Sequence, residues 1–169
     1  MKKIAAVALL SAFIAAPVAA EDMHMYIGAN VGSAQIDATG FDASTAFSVL
    51  AGHKFNSNFA AEVAYVNFGS VDVAPAGSTV KSSAMSLSGV GSFPLNDQFS
   101  LFGKLGLAST TVKGTGFPSE SNTGVTYGVG AQFDFDQQFA IRAGWDMYKI
   151  GDVNEEDEDV MSLGAIFTF

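Results

Sequence analysis

The sequence lacks or is poor in several residue types, and each shortage excludes a class of protein. None of the 169 residues is cysteine, which excludes a disulfide scaffold, a thiolate metal site, a cysteine nucleophile and a lipid-modified N-terminal cysteine. Lysine and arginine number 8 against 17 aspartate and glutamate, for a net charge of −9. Nucleic acid is therefore excluded as a partner, because binding to phosphates requires a basic surface.

Charged residues of either sign are scarce. The chain is long enough to form one closed core. Only 15% of the residues are charged, whereas 49% are hydrophobic. This balance is unusual for an acidic protein whose whole surface faces water. It indicates that something other than water solvates part of the surface.

Long apolar runs are also missing, apart from one near the N-terminus. Residues 1–3 are Met-Lys-Lys, residues 4–16 are apolar, and residues 17–20 are mostly small. This order is typical of a secretory signal peptide, and an apolar run of about 13 residues is shorter than the roughly 20 that a spanning helix needs. We expect cleavage after Ala20, which removes residues 1–20 and leaves one domain over residues 21–169 outside the cytoplasm.

The rest of the chain contains a recurring alternation of apolar and polar residues. Val125, Tyr127 and Val129, for example, are separated by Thr126 and Gly128. A period of two is the mark of a strand with one face in an apolar environment. Eight strands are predicted, at about residues 25–37, 46–55, 59–69, 81–93, 99–113, 123–135, 139–150 and 159–169.

The connections between these segments alternate in length. Three are tight polar turns, at residues 56–58, 94–98 and 136–138. The others are longer and rich in Gly, Ser, Thr, Asp and Pro, around residues 38–45, 70–80, 114–122 and 151–158. Short turns at one end and long loops at the other are the plan of a membrane barrel, and strands of about ten residues match the hydrocarbon thickness. We therefore predict an all-β fold, an eight-stranded antiparallel up-and-down transmembrane β-barrel.

The charged residues indicate which face of the strands points inward. Every mid-strand charge falls on the polar face, namely Lys54, Glu62, Lys104, Arg142 and Asp146. Placing Arg142 against lipid would cost about 2–4 kcal/mol near the membrane midplane. We therefore predict an interior charge network made of these five residues, in which Arg142 and Glu62 are natural bidentate partners.

Aromatic residues gather beside the short turns, as expected of the aromatic girdle at a membrane interface. They are Phe55, Phe59, Phe93, Phe99, Phe133, Phe135, Phe139 and Phe169. A soluble secreted β-sandwich or a lipocalin-like barrel is the rival fold, since its strands also alternate. Either would present mainly Gly, Ser, Ala and Thr to water, so the membrane barrel is favoured.

Several short motifs follow one another along residues 25–169. They include Tyr26-Ile27-Gly28-Ala29-Asn30-Val31-Gly32, Gly52-His53-Lys54-Phe55, Phe102-Gly103-Lys104-Leu105-Gly106 and Ile141-Arg142-Ala143-Gly144-Trp145. Together they resemble the opacity-protein-like and OmpA-like small outer-membrane β-barrels. The end of the chain, with Phe167 and Phe169, is similar to the C-terminal signal read by the barrel-assembly machinery. The resemblance implies a bacterial outer-membrane location and contact with outer-membrane lipid and lipopolysaccharide.

This resemblance leaves the molecular function open, because the fold hosts adhesins, pores, enzymes and structural proteins. We expect a structural or surface-interaction role through the long extracellular loops, with a host or environmental surface ligand. The alternatives are a narrow, low-conductance gated pore and, last, a lipid-A-modifying enzyme. In the OmpA-like domain, the residues matching Glu62 and Arg142 belong to a cluster proposed to gate a pore. The strand-four lysine of that cluster is Val90 here.

No catalytic site is predicted. The chain has two histidines, of which His24 precedes the first strand and His53 lies at a lipid-facing position near the short turns. The barrel enzymes of lipid A that this chain resembles in size use His and Ser on the outer rim. We therefore expect no enzyme activity, no cofactor and no metal site.

The last long loop is the most acidic part of the chain. Its acidic residues are Asp152, Glu155, Glu156, Asp157, Glu158 and Asp159. Asp152, Asn154 and Glu156 have the spacing with which an EF-hand begins, but Asp157 stands where that motif needs Gly. We interpret the segment as a solvated surface loop. The sharper alternative is that it recruits Mg²⁺ or Ca²⁺ loosely and bridges to lipopolysaccharide or a cationic partner.

Overall fold

Eight strands follow one another in a computed structural model that describes residues 24–36, 44–73, 78–114, 120–149 and 158–169. They are β1 (His24–Ile36), β2 (Ser44–Lys54), β3 (Phe59–Val73), β4 (Ser78–Pro94), β5 (Phe99–Gly114), β6 (Glu120–Asp134), β7 (Phe139–Tyr148) and β8 (Glu158–Thr168). Each strand is antiparallel to the next, and β1 pairs with β8, which closes the sheet into a barrel. The predicted fold is confirmed.

All eight predicted strands are present, but β3 and β4 reach further toward the long loops than predicted. β3 continues to Val73 and β4 begins at Ser78, so most of the loop expected at residues 70–80 is strand. Their ladder continues because a register shift between Asn67 and Ser70, with Gly69 at a φ of 87°, lets pairing resume. The predicted signal peptide lies outside the described residues. Within the described residues, no helix is long and apolar enough to span a membrane.

The three tight turns share one local structure. Asn56 Oδ1 accepts hydrogen bonds from the backbone N–H groups of Asn58 and Phe59, at 2.9 and 2.8 Å. Asn96 and Asp136 make the same pair of bonds in the other two turns. The two backbone donors hold the pKa of the exposed Asp136 carboxyl below its usual value. A side chain that mimics a backbone turn explains why these connections are short.

The outer face of the barrel is an apolar belt. Val129 and Leu105, for example, are 58% and 65% exposed, and most of the phenylalanines beside the tight turns are exposed as well. Toward the long loops the outward positions become polar, at Ser33, Thr45, Asn67, Ser83, Ser109 and Thr123. This surface is the inverse of a soluble protein's, because hydrocarbon rather than water solvates the belt.

The interior is divided into layers rather than uniformly polar. A loop-side cluster of buried apolar residues consists of Ala34, Ala46, Val66, Phe68, Ala84, Ala108, Tyr148 and Val160. A turn-side cluster consists of Tyr26, Leu50, Ala64, Ala140 and Ile166. The rings of Phe68 and Tyr148 meet edge to face with centroids 5.2 Å apart. The predicted polar face therefore also carries the packing that fills the lumen.

Large inward side chains pack over glycines on neighbouring strands. The Tyr26 ring covers Gly52 and the Phe102 ring covers Gly130, while the Asp146 carboxylate covers Gly128, so that a Cβ at any of these glycines would overlap the side chain. Gly91 faces outward instead, and a Cβ there would meet nothing within 4 Å. Glycine is thus required for packing on the inner face, where the barrel is narrow.

Replacing an inner glycine should therefore destabilise the barrel, whereas the same change outside should not. Gly52→Val forces the Tyr26 ring out of place, and we expect it to lower the free energy of unfolding by about 1–3 kcal/mol. Gly91→Val is the matched control, with an expected change near zero. Urea unfolding in lipid vesicles measures both. Equal losses in the two variants would contradict this account of the interior.

Candidate functional site: a charge network across the barrel

The centre of the site is an ion pair between opposite walls of the barrel. Glu62 on β3 and Arg142 on β7 are four strands apart in the closed sheet. Arg142 Nη1 donates to Glu62 Oε2 at 2.6 Å, and the two residues are 7% and 2% exposed. The predicted partners thus meet. The contact is one hydrogen bond rather than the predicted bidentate pair, and Arg142 Nε donates instead to Gln132 Oε1 at 3.1 Å.

Lys104 on β5 extends the pair into a chain of alternating charges. Its Nζ lies 2.8 Å from Asp146 Oδ1 and 3.6 Å from Glu62 Oε1. The Tyr26 hydroxyl also donates to Glu62 Oε2, at 3.0 Å. Because two cations and a hydroxyl compensate Glu62, this buried carboxylate avoids the large penalty of an unpaired charge.

Two aromatic rings lie against the Arg142 guanidinium. Its Cζ lies 4.7 Å from the centre of the Phe102 ring and 5.5 Å from the centre of the Tyr26 ring. Cation–π attraction strengthens in such a desolvated position. The prediction considered charged residues only and therefore omitted Tyr26, Phe102 and Gln132. Alternation could have identified them, since all three lie on the same inward face as the predicted charges.

Lys54 does not join the network, so four of the five predicted residues are brought together. Its Nζ lies 5.8 Å from the centre of the Tyr26 ring, at the turn-side end of β2, and no ion pair within the described strands includes it. Lys104 lies directly across the ladder from Val90. The cation that the resemblance places on strand four therefore comes from the neighbouring strand β5.

Glu158 and Asp159 belong to β8, which corrects their assignment to the solvated loop. Glu158 points into the barrel, is 3% exposed and accepts a hydrogen bond from Ser82 Oγ at 3.3 Å. Asp159 accepts one from Trp145 Nε1 at 3.2 Å. The cause is that β8 begins before the acidic run ends. The other four predicted loop acids, Asp152, Glu155, Glu156 and Asp157, lie outside the described residues.

The remaining predicted residues lie on the outer face near the tight turns. The His53 ring packs edge to face against Phe55, with centroids 5.1 Å apart. Phe167 packs between Phe139 and Phe169 at the end of the last strand. Its role in barrel assembly stays a prediction. In the strands and turns that the structure describes, no group of three His, Asp or Glu side chains is placed to hold a metal ion.

The network should behave as an energetically coupled unit. Arg142→Ala leaves Glu62 buried with weaker compensation, and we expect a loss of about 3–5 kcal/mol in the free energy of unfolding. The double variant with Glu62→Ala should lose less than the sum of the two single losses. Urea unfolding in lipid vesicles gives all three values, and Lys81→Ala, at an exposed position of β4, serves as a control outside the network. Additive losses would mean that the two side chains are not coupled.

Comparison with known proteins identifies the family of the chain and solved structures with a similar fold. The family model described as the outer membrane protein beta-barrel domain matches residues 5–169. Ail of Yersinia pestis, solved with the heparin analogue sucrose octasulfate, is similar with a TM-score of 0.63 and 21% identity over 87% of this chain and 97% of that one. Comparison with curated protein sequences gives no match.

Two further solved barrels share the architecture. The N-terminal β-barrel domain of Pseudomonas aeruginosa OprF has a TM-score of 0.66 and 15% identity over 88% of this chain and all (100%) of that one. Neisserial surface protein A has a TM-score of 0.62 and 18% identity, covering 87% of this chain and 97% of its own. These likenesses show the fold, and the family match adds the location. The chain belongs to the outer membrane protein β-barrel domain family and is a small eight-stranded barrel of the bacterial outer membrane.

Proposed function

We propose that this protein is a rigid platform that presents its long extracellular loops to lipopolysaccharide and to ligands outside the cell. The barrel itself does not serve as an open channel in this proposal. The observation that carries it is the filling of the lumen by side chains along its length.

An ion that entered from the turn side would meet side chains in two regions of the lumen. The turn-side cluster and the Glu62–Arg142 pair, which Tyr26 joins, fill the first. The rings of Phe68 and Tyr148 follow on the loop side. An eight-stranded barrel has room for interior side chains but not for a wide channel as well. These layers support a structural role.

A narrow gated pore is the second candidate, and one observation favours it. Lys104 lies between two carboxylates, Glu62 and Asp146, so a shift of its ammonium between them would reorganise the network. Conduction would still require Phe68 and Tyr148 to move. The pore therefore needs two independent rearrangements, whereas the platform needs none.

Planar-bilayer recording distinguishes these two candidates. We expect the purified protein to give no single-channel steps, because the packed layers exclude hydrated ions. A general porin in the same bilayer shows that the assay detects channels. Reproducible steps from this protein that change in size or frequency in Lys104→Met would contradict the platform and favour the pore.

The charge of the chain favours a particular kind of surface contact. The Ail structure contains a polyanion, sucrose octasulfate. This chain has a net charge of −9 and an acidic run from Asp152 to Asp157. Like charges repel, so we propose that its loops bind cationic partners, or anionic lipopolysaccharide through Mg²⁺ or Ca²⁺ bridges.

Neutralising that acidic run tests the surface role. A variant with Asp152→Asn, Glu155→Gln, Glu156→Gln and Asp157→Asn should fold normally but bind a lipopolysaccharide monolayer several-fold more weakly in Mg²⁺. Proteoliposome binding with and without EDTA measures the effect. The matched control is Asp97→Asn with Asp136→Asn in the tight turns at the opposite end. If EDTA and the loop variant both leave binding at the wild-type level, divalent bridging is wrong.

A further inference from the structure

The outer face of the barrel carries a methionine and a histidine side by side at its turn-side end. Met25, the second residue of β1, lies directly opposite His53, the last residue but one of β2. Both face outward, because Tyr26 and Gly52, the residues next to them, are buried inside the barrel. Met25 and His53 are themselves only partly buried, so an ion in the water at the membrane interface can reach them.

The backbone hydrogen bonds show that this cross-strand pair is of the closer kind. Phe169 N donates to the Met25 carbonyl at 2.9 Å, so Met25 directs its backbone polar groups toward β8. Phe55 N donates to the Phe59 carbonyl at 2.9 Å, and His53, two residues earlier, directs its own groups toward β3 as well. Met25 and His53 therefore form a non-hydrogen-bonded pair, in which the Cα atoms lie about 4.5 Å apart and the side chains come closest.

A thioether beside an imidazole is suited to a soft monovalent metal ion. Thioether sulfur selects Cu(I), and Ag(I) has the same ligand preference, while neutral imidazole also binds copper. Mg²⁺ and Ca²⁺ require oxygen ligands instead. Zinc sites use thiolate, imidazole and carboxylate, and in the part of the chain that the structure describes no three His, Asp or Glu side chains are grouped to hold a metal.

The surroundings of the pair favour binding. The His53 ring packs edge to face against Phe55, with centroids 5.1 Å apart and an angle of 76° between the rings. This contact restricts the orientation of the imidazole, as outer contacts do for metal-binding histidines in general. On β3, the residue opposite His53 is the small Ala61, which leaves room beside the ring. Met25 is unbranched and flexible, so its sulfur can adjust to a ring nitrogen.

Exposure of a methionine alone does not produce this arrangement. Met161 on β8 also faces outward and is 64% exposed. The residues opposite it are Trp145 on β7 and Ser33 on β1, neither of which is a ligand for a soft metal. Met161 is therefore a matched control for Met25.

We propose that Met25 and His53 form a binding site for a soft monovalent metal ion, Cu(I) or Ag(I), at the turn-side end of the barrel. The thioether sulfur and one imidazole nitrogen bind the ion, and the negative net charge of the chain attracts it. Because short turns face the periplasm in such barrels, the site takes up ions on the periplasmic side. It lies at the opposite end from the long loops and is independent of the surface role.

This site departs from the expectation of no metal site. The two ligands belong to different strands, and only the register of β1 against β2 brings them together.

Titration of the folded barrel in lipid nanodiscs with Ag(I) tests the site directly. Ag(I) nitrate in chloride-free buffer is the probe, because Ag(I) is not oxidised in air. We expect saturable binding by calorimetry, with shifts of the Met25 methyl and His53 ring resonances in NMR spectra. The Met161 methyl serves as an internal reference. No saturable binding, or a shift of Met161 equal to that of Met25, would overturn the proposal.

Variants of the two ligands separate metal binding from a structural role. Met25→Leu conserves volume, and it and His53→Gln should each weaken Ag(I) binding about tenfold or more. Met161→Leu should bind like the wild type. His53→Met replaces the imidazole by a second thioether and should retain binding, which a purely structural role of His53 does not predict. Wild-type affinity in both Met25→Leu and His53→Gln would overturn the proposal.

His24 provides a test of binding by the start of the chain alone. It lies between Met23 and Met25 in the sequence, but its partner in the register is Lys54. His24→Gln should therefore leave Ag(I) binding at the wild-type level. If His24→Gln abolishes binding and His53→Gln does not, the ion is held by adjacent residues of one segment, and the cross-strand site is wrong.

Discussion

Closure of the sheet is the constraint on which the rest of this structure depends. Inside a bilayer no water is present to satisfy backbone N–H and C=O groups, so each strand must have a partner on both sides. The pairing of β1 with β8 supplies the last of these partners, from Tyr26–Thr168 to Ile36–Glu158. Once the sheet is closed, its outer face is in contact with lipid and its inner face lines a narrow lumen.

The narrow lumen decides how the inward residues are arranged. Bulky side chains such as Tyr26 and Phe102 fit only because glycines lie opposite them. The same two rings lie against the Arg142 guanidinium, so the packing that fills the barrel also positions its central charge. Buried ion pairs add little stability by themselves but cost much when broken. The network is therefore best understood as a set of compensated charges that fixes how opposite walls meet.

Beyond the belt the constraint is relaxed, because water and lipid headgroups can satisfy free backbone groups. There β3 stays paired with β4 as far as Val73 and Ser78, and β5 with β6 as far as Val112 and Glu120. On β3, hydrogen bonds of Ser44 and Asn67 to backbone groups accompany the register shift at Gly69. In the proposed role, these parts outside the membrane make the surface contacts, while the barrel holds them in place.

The local features of this protein can be deduced from its amino-acid sequence alone. Period-two alternation identified all eight strands and their lipid-facing sides, since lipid and lumen demand opposite chemistry at successive residues. The side chains of Asn56, Asn96 and Asp136 set the short turns for an equally local reason. The inward face of the four network residues also followed from alternation alone.

Which inward residues meet depends on how the strands are arranged in space. Glu62 and Arg142 are 80 residues apart, and their contact depends on closure and on the stagger of the strands around the barrel. Alternation carries no information about that stagger, so it could not show that Lys54 lies beside Tyr26 and outside the ion pairs, and Tyr26 and Phe102 were missed. It also does not tell how far a ladder extends, because that is set by the neighbouring strand. Glu158 was therefore predicted to lie in an acidic loop, although pairing with β1 and β7 places it inside the barrel.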